Sequence, residues 1–236
     1  YETADGQRVD WSPWHNGPTS LTPPYDQLEP RFHASILYNQ ANWKGRKIGS
    51  YVGGPDGYFD FGFKPYPNGE TTTGYFMRKM MDESIVDLNA NRSEQPIIEI
   101  RYAEVLLNYA EACFRIGGRD SEANDAVRAI RQRVGLPYNS LTGDALMEQI
   151  RHERKIELAF EGHRYWDLRR WRLAQVELHN MRVQGMKITA IGDGVFNYEV
   201  VDADGKDRLF LERLYYFPIP SAEITNNTAI TQISPW

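Results

Sequence analysis

The chain has 236 residues, of which 25% are charged and 41% hydrophobic, and its formal net charge is −5. This length and composition are typical of one generous globular domain or two small ones, and they exclude a disordered chain. The acidic balance argues against a general nucleic-acid or anionic-membrane binder, because such proteins need a basic surface to neutralise phosphates.

The first segment, residues 1–95, is rich in Gly, Pro, Asn and aromatic residues and shows little helical periodicity. Within it, Arg31–Tyr38 alternates enough to predict a short strand, and Thr73–Met81 predicts another strand or a short helix. Long loops in a compact domain are usually functional, so we expect this segment to carry a ligand-binding surface.

Residues 96–175 predict a helical layer. A polar stripe with spacings of 3 and 4 predicts a first helix, which Gly117-Gly118 ends. Asp120 or Ser121 caps a second helix, and the two form a hairpin of about the 34-residue size of a tetratricopeptide unit. A third helix runs to Glu161 and is broken by Gly162, and a fourth follows to about 175.

Residues 176–236 predict a small β-hairpin and an aromatic, Pro-stiffened tail that runs back over the helices. The hairpin joins Phe196–Val201 to Arg208–Leu211 through a turn at Asp202–Gly205. Three Asp residues near this turn do not fit the spacing of an EF-hand calcium loop. The sequence predicts no metal site and no cofactor.

The only cysteine is Cys113, so no intrachain disulfide can form. No apolar run approaches the roughly 20 residues that span a bilayer. The chain starts at Tyr1 without a methionine and shows no signal peptide. We interpret it as a processed or excised piece of a longer protein.

Catalytic motifs are missing: there is no G-x-S-x-G elbow, phosphate-binding loop or zinc-protease motif. Glu153, Glu157 and Glu161 fall at i, i+4 and i+8 beside several Arg residues, which favours a structural ion-pair seam. Asp56 and Asp60 are interpreted as turn residues. A glycoside hydrolase that uses such carboxylates stays open as an alternative.

Aromatic residues of the first segment are the more suggestive signal. They comprise Trp11, Trp14, Trp43, Tyr51, Tyr58 and Tyr66. A sugar ring has an apolar face that stacks on flat aromatics and a rim of hydroxyls that short polar side chains satisfy. We therefore predict a glycan site made by Trp11, Trp14, His15, Asn16, Trp43 and Arg46. The alternative is that these aromatics anchor the loops to the core.

The stretch from Arg154 to Trp171 resembles the signature ER-x-x-EL-x-x-EG-x-R-x-x-DL-x-RW of the SusD/RagB family. Thr73–Lys79 resembles the strand TGY-x-x-RK of that family, and Arg101–Ala112 resembles its preceding helix. Pro218–Ile224 is similar to its C-terminal tail. The resemblance implies a mainly α fold with a tetratricopeptide-like hairpin, of which this chain is the C-terminal half.

The resemblance also implies a function. Members are non-catalytic lipoproteins on the extracellular face of the outer membrane of Bacteroidetes-type bacteria. They bind oligosaccharides and pass them to a partner, a SusC-like TonB-dependent transporter, and a lipid anchor outside this chain holds them to the membrane. By the same resemblance, these signature residues are not ligand contacts but buried, mutually paired structural groups: Glu157, Glu161, Arg164, Asp167 and Arg169. A helical-repeat scaffold for another protein is the alternative.

Overall fold

The structure is a computed structural model that describes residues 1–57, 71–85 and 93–236. Its helices are α1 (Pro30–Ser35), α2 (Tyr102–Ile116), α3 (Asp120–Arg133), α4 (Gly143–Glu157), α5 (His163–Arg170), α6 (Ala174–Leu178) and α7 (Ser221–Asn226). Its strands are β1 (Ile36–Leu37), β2 (Asn42–Trp43), β3 (Arg46–Lys47), β4 (Phe76–Met77), β5 (Gln184–Gly192) and β6 (Val195–Asp202). The predicted mainly α class with small β-hairpins is confirmed. Tyr58, Asp60 and Tyr66 lie outside the described residues.

The predicted helix hairpin is formed by α2 and α3. Gly117 ends α2 with a φ of +79°, a conformation that glycine adopts without steric cost. Small and apolar side chains from both helices then pack against Leu146 and Ile150 of α4 in one core cluster. Asp120 and Ser121, the predicted caps, lie inside α3, because the N-cap position is Arg119, and no side chain caps the helix.

The third and fourth helices are shorter than predicted. The helix α4 ends at Glu157 instead of Glu161, because Phe160 turns the chain with a φ of +66° before Gly162. The fourth predicted helix is divided into α5 and α6 at Arg172, whose φ is +59°. Glu161 therefore lies beyond the helix that carries Glu153 and Glu157.

The predicted strand Arg31–Tyr38 is mostly wrong. Pro30 has a φ suited to a first helical position, and α1 occupies residues 30–35. Only β1 remains extended, and it pairs antiparallel with β4, with Ile36 opposite Met77. The second predicted strand, Thr73–Met81, is reduced to the two residues of β4.

The C-terminal hairpin pairs different strands, and turns at a different place, from those predicted. The strands β5 and β6 pair antiparallel around Asp193-Gly194, whose φ values are +43° and +76°. Two positive φ values are what a two-residue hairpin turn requires, and Asp-Gly supplies them. Arg208 forms only an isolated bridge to Met181, so the predicted turn at 202–205 was wrong.

One core cluster joins the loop-rich segment to this hairpin. It is made by Trp14, Tyr25, Leu28, Phe32, Met186, Ile188, Phe196 and Tyr198. The C-terminal tail contacts α5 and α6: the Gln175 N–H donates to the Tyr215 hydroxyl at 2.9 Å. The Phe217 ring also lies 6.2 Å from that of Trp166.

Candidate functional site

A short 3-10 helix, Ser12–Trp14, follows Trp11 and ends at Trp14, and the two tryptophans have different environments. Asp10 holds the start of this helix by accepting hydrogen bonds of 2.9 Å from the Ser12 N–H and hydroxyl. Trp14 is only 3% exposed, and its Nε1 donates to the Leu21 carbonyl at 2.8 Å. This corrects the prediction for Trp14: it anchors the core, and its ring faces are not available to a sugar.

Trp11 is partly exposed at the edge of the same core, with its ring 5.4 Å from that of Trp14. It lines two adjoining cavities of about 450 and 280 Å³, which also share Tyr75 and Gln184. We call the two together the Trp11 groove. Its apolar part is extended by Phe76, Met77 and Phe160, and its other part by His15, Met186 and Val200.

Tyr75 is positioned by the turn that precedes it. Gly74 has a φ of +77°, and a Cβ at this position would lie 2.2 Å from the carbonyl oxygen of Met186. The Met186 N–H in turn donates to the Thr73 carbonyl at 2.9 Å, so this turn lies flat on β5. The Tyr75 hydroxyl shares a hydrogen bond of 2.8 Å with Tyr25, and burial raises the pKa of Tyr75 to about 12. The phenol is therefore a neutral hydrogen-bonding group at physiological pH.

Phe160 is a groove residue that the sequence analysis missed. It is 49% exposed and has a φ of +66°, which is uncommon and strained for a bulky side chain. Strain of this kind collects at ligand-binding positions. The available signal was its place in the signature: it is one of the two variable residues between Leu158 and Glu161.

His15 and Asn16 follow the 3-10 helix and are both exposed. His15 lines the smaller cavity beside Trp11, so the structure brings these two predicted residues together. Asn16 does not line either cavity, and its Nδ2 donates to the Ser12 carbonyl at 3.4 Å.

Trp43 and Arg46 lie on the β2–β3 hairpin and line neither part of the Trp11 groove. The Trp43 ring packs on a small core of Leu37, Ala41 and Ile48. Arg46 donates two hydrogen bonds of 2.6 and 2.7 Å to Asp56, and these bonds lower the pKa of the Asp56 carboxyl. The structure therefore does not bring these two residues to the predicted cluster.

The carboxylates that could have served hydrolysis belong to an ion-pair network. Of Glu153, Glu157 and Glu161, the last two are bridged by Arg101, which donates to each of them at 2.7 Å. Burial alone would raise the pKa of both carboxyls, but hydrogen bonds from Arg101 and nearby cationic charges outweigh it and lower the pKa of each. Carboxylates held ionised in this way are poor general acids at neutral pH.

Two residues of the expected network lie outside it. Arg164 is one-third exposed and pairs with Glu177 of α6. Arg169 stacks on the rings of Tyr165 and Phe217, at 5.1 and 4.6 Å, without an ion pair to a described residue. Within the signature stretch, the buried ion pair is instead that of Arg154 with Asp167, at 2.8 Å.

The Trp11 groove offers aromatic faces, an amide, a phenol and an imidazole, and none of its described lining residues is a carboxylate. This chemistry suits binding of a ligand with apolar faces and hydroxyls. Across residues 1–57, 71–85 and 93–236, no three His, Cys, Asp or Glu side chains converge to hold a metal ion. No helix in the described part of the chain is long and apolar enough to cross a membrane.

Comparison with known proteins gives consistent similarities. SusD-like protein P2 of Formosa agariphila is 32% identical over 156 residues, which is 62% of this chain and 27% of that protein. A SusD-like protein of Bacteroides fragilis superposes with a TM-score of 0.81 at 29% identity, covering 100% of this chain and 45% of that one.

A second solved structure from Bacteroides fragilis is described as a SusD-like carbohydrate binding protein. It superposes with a TM-score of 0.69 at 28% identity, over 97% of this chain and 46% of that one. The chain thus spans less than half the length of each of these relatives. The family model described as "SusD family" matches residues 1–236. The chain belongs to the SusD family.

Proposed function

We propose that this chain binds oligosaccharides or polysaccharides without cleaving them. The observation that carries the proposal is the Trp11 groove, a mixed aromatic and polar cleft in a chain of the SusD family. A relative with 28% identity that covers nearly the whole chain is described as carbohydrate binding, which supports the same class of ligand.

In the proposed complex, the apolar face of a sugar ring stacks on Trp11. Gln184 and His15 at the groove edge donate to and accept from the sugar hydroxyls. The apolar part near Phe160 and Met77 receives the face of a neighbouring ring. Aromatic rings with few rotatable bonds provide contact area at a low entropic cost.

Delivery is the second part of the proposal. We infer that the whole protein acts on the extracellular face of the outer membrane and hands its glycan to a SusC-like TonB-dependent transporter. Family membership supports this role.

The proposal is tested by electrophoresis of this chain through native gels that contain starch, xyloglucan, arabinoxylan or pectin. We expect retardation in at least one neutral polysaccharide, and loss of that retardation in Trp11→Ala. Trp166→Ala is the matched control, because Trp166 is 57% exposed on α5 and does not line the groove. Undiminished retardation of Trp11→Ala would refute this placement of the site.

The same samples test the glycoside hydrolase alternative. Because Glu157 and Glu161 are paired with Arg101 and kept ionised, no reducing sugar is expected to be released from any polysaccharide that retards the chain. Release of reducing sugar that is lost in Glu157→Gln would revive hydrolysis.

The helical-repeat scaffold is the second candidate, and one observation favours it. The outer face of α2 carries an apolar stripe at helical spacing, formed by Tyr102, Val105, Tyr109 and Ile116, with exposures of 74, 48, 43 and 71%. Repeat proteins cover such faces by stacking a further helix pair. If no polysaccharide retards the chain, this scaffold function becomes the better account.

A further inference from the structure

A second cavity of about 430 Å³ shares the lining residue Tyr25 with the Trp11 groove. Three segments enclose it: the loop at 20–26, the turn at 38–42 between β1 and β2, and the β5–β6 hairpin end at 194–198. Tyr25 lines both this cavity and the Trp11 groove. We call it the Gln40 groove. Its volume falls in the range of small-ligand sites.

The chemistry of the Gln40 groove differs from that of the Trp11 groove. Gln40 and Asn42 are exposed and present carboxamides to it, and Ser20 and Thr22 add hydroxyls. A carboxamide both donates and accepts hydrogen bonds, so it matches a sugar hydroxyl, which does the same. The charged lining groups are one carboxylate and one ammonium, from Asp26 and Lys47, so the lining carries no net charge.

The backbone holds Gln40 in place at a cost. Its φ is +70°, a left-handed conformation that is uncommon for a residue other than glycine. The Gln40 N–H donates to the Ile48 carbonyl at 2.8 Å, and the Ile48 N–H donates to the Ala41 carbonyl at 2.9 Å. These two bonds fix the turn in its strained form. Strained residues of this kind cluster at ligand clamps.

Asn39 gives an independent sign that the groove is polar. It lines the cavity and is 2% exposed, and its carboxamide makes no well-formed hydrogen bond to a described residue. Burial raises the pKa of Tyr198, which also lines the cavity, and a hydrogen-bonding interaction with the Asn39 side chain partly opposes this rise. A carboxamide has two donor hydrogens and an acceptor oxygen, so Asn39 keeps hydrogen-bonding capacity for a ligand hydroxyl beside Tyr198.

We propose that the Gln40 groove is a second glycan-binding site, which takes a neutral oligosaccharide and recognises its hydroxyls through the carboxamides of Gln40 and Asn42. Tyr38 supplies a partly exposed ring for the sugar face. The inference rests on the proposed function, since it assigns the same class of ligand to a second place. Two sites on one chain favour a polymer over a short oligosaccharide, because the second binding event becomes intramolecular.

The test begins with isothermal titration calorimetry of this chain with maltohexaose, cellohexaose and xylohexaose. The hexamer that binds is then titrated into each variant. We expect two equivalents for the unmodified chain. Trp11→Ala and the double variant Gln40→Gly, Asn42→Ala are each expected to bind one. Asn139→Ala, an exposed amide change between α3 and α4, is the control and is expected to bind two. Hexagalacturonate, which is acidic, is expected not to bind in the Gln40 groove.

Stability and stoichiometry together decide the outcome. Gln40→Gly relieves the left-handed strain, so the Tm of the double variant is expected to be unchanged or higher, and lost binding then reflects the lost amides. If its Tm falls, Asn42→Ala alone replaces it. One equivalent that disappears in Trp11→Ala and is unaffected by the Gln40-groove variants would overturn the second site and leave the proposed function intact. No binding of any hexamer by the unmodified chain would overturn both.

Discussion

Arg31 of α1 donates a hydrogen bond of 2.8 Å to Glu153 of α4, across 122 positions of sequence. Both side chains are buried, with exposures of 7 and 0%. Arg31 also pairs with Glu29 at 2.5 Å and with Glu157 at 3.2 Å. The buried guanidinium of Arg31 is thus one of the links that join the loop-rich segment with the Trp11 groove to the helical layer, beside the ion pair of Glu2 with Arg131.

Arg31→Ala is expected to destabilise the chain strongly. The change leaves buried carboxylates with fewer partners, and breaking a buried ion pair on one side typically costs about 3–5 kcal/mol. Urea unfolding followed by circular dichroism measures the loss in free energy of unfolding.

Arg164→Ala is the matched control for this prediction. The resemblance implied a buried pair for Arg164, but its pair with Glu177 is partly exposed, and surface pairs contribute about 0–1 kcal/mol. Equal losses for Arg31→Ala and Arg164→Ala would contradict the division between a buried network and a surface pair.

The sequence predicted the helical layer well because its signals are local. Periodic apolar positions determine that α2 is a helix, and Gly117-Gly118 determines where it ends, without reference to the rest of the chain. The β-hairpin was misplaced because Asp193-Gly194 was overlooked in favour of a richer cluster of turn residues. Both places contain an Asp-Gly pair, whose residues tolerate positive φ, so the turn residues alone do not choose between Asp193-Gly194 and Asp204-Gly205.

The candidate site was only partly predictable for a different reason. Trp11 and Trp14 have similar sequence neighbourhoods, and only tertiary packing decides that one is exposed and the other buried. Tyr75, Gln184 and Phe160 come from segments far apart in sequence and meet Trp11 only in the fold. Neither the spacing of residues nor the composition of a segment predicts such long-range contacts. Trp43 and Arg46 shared the composition of a glycan site but lie on another hairpin.

His152 is expected to make the chain less stable as the pH falls from about 6.5 to about 4. Burial lowers the pKa of His152 from 6.5 to about 4, so the folded chain keeps this imidazole neutral while the unfolded chain takes up a proton. The unfolded state binds more protons in this window, so the free energy of unfolding decreases as pH decreases. At 1.36 kcal/mol per pKa unit, the loss is about 2–3 kcal/mol.

Urea unfolding at pH 7, 5.5 and 4.5 measures this dependence, and His152→Gln removes the titrating group. The paired carboxyls of Glu157 and Glu161 have a lowered pKa, so they contribute stability that is lost only below about 4.5. The loss of unfolding free energy between pH 7 and 5.5 is therefore expected to be smaller in His152→Gln than in the unmodified chain. An unchanged loss in that variant would show that another group is responsible.

Gly74→Ala is expected to lower both stability and glycan binding. Its Cβ would lie 2.2 Å from the Met186 carbonyl oxygen, so the turn must move off β5 and carry Tyr75 with it. Overpacking of this kind costs about 1–3 kcal/mol. Gly117→Ala is the matched control, since Gly117 has a similar φ of +79° but nothing within 4 Å of its Cβ. The difference in Tm between the two variants measures the destabilisation caused by the close contact with Met186. Equal shifts in Tm would show that this contact does not matter.

Trp14→Ala and Trp11→Ala are expected to act on different properties, although the two rings lie 5.4 Å apart. Trp14 is buried and hydrogen-bonded to the Leu21 carbonyl, and truncating such a side chain costs about 3–5 kcal/mol. Trp11 lies at the core edge, so its removal is expected to lower glycan retention while the urea midpoint changes little. A double variant would confuse these two effects, and single variants are needed. If Trp14→Ala retained its urea midpoint while losing glycan retention, the assignment of Trp14 to the core would be wrong.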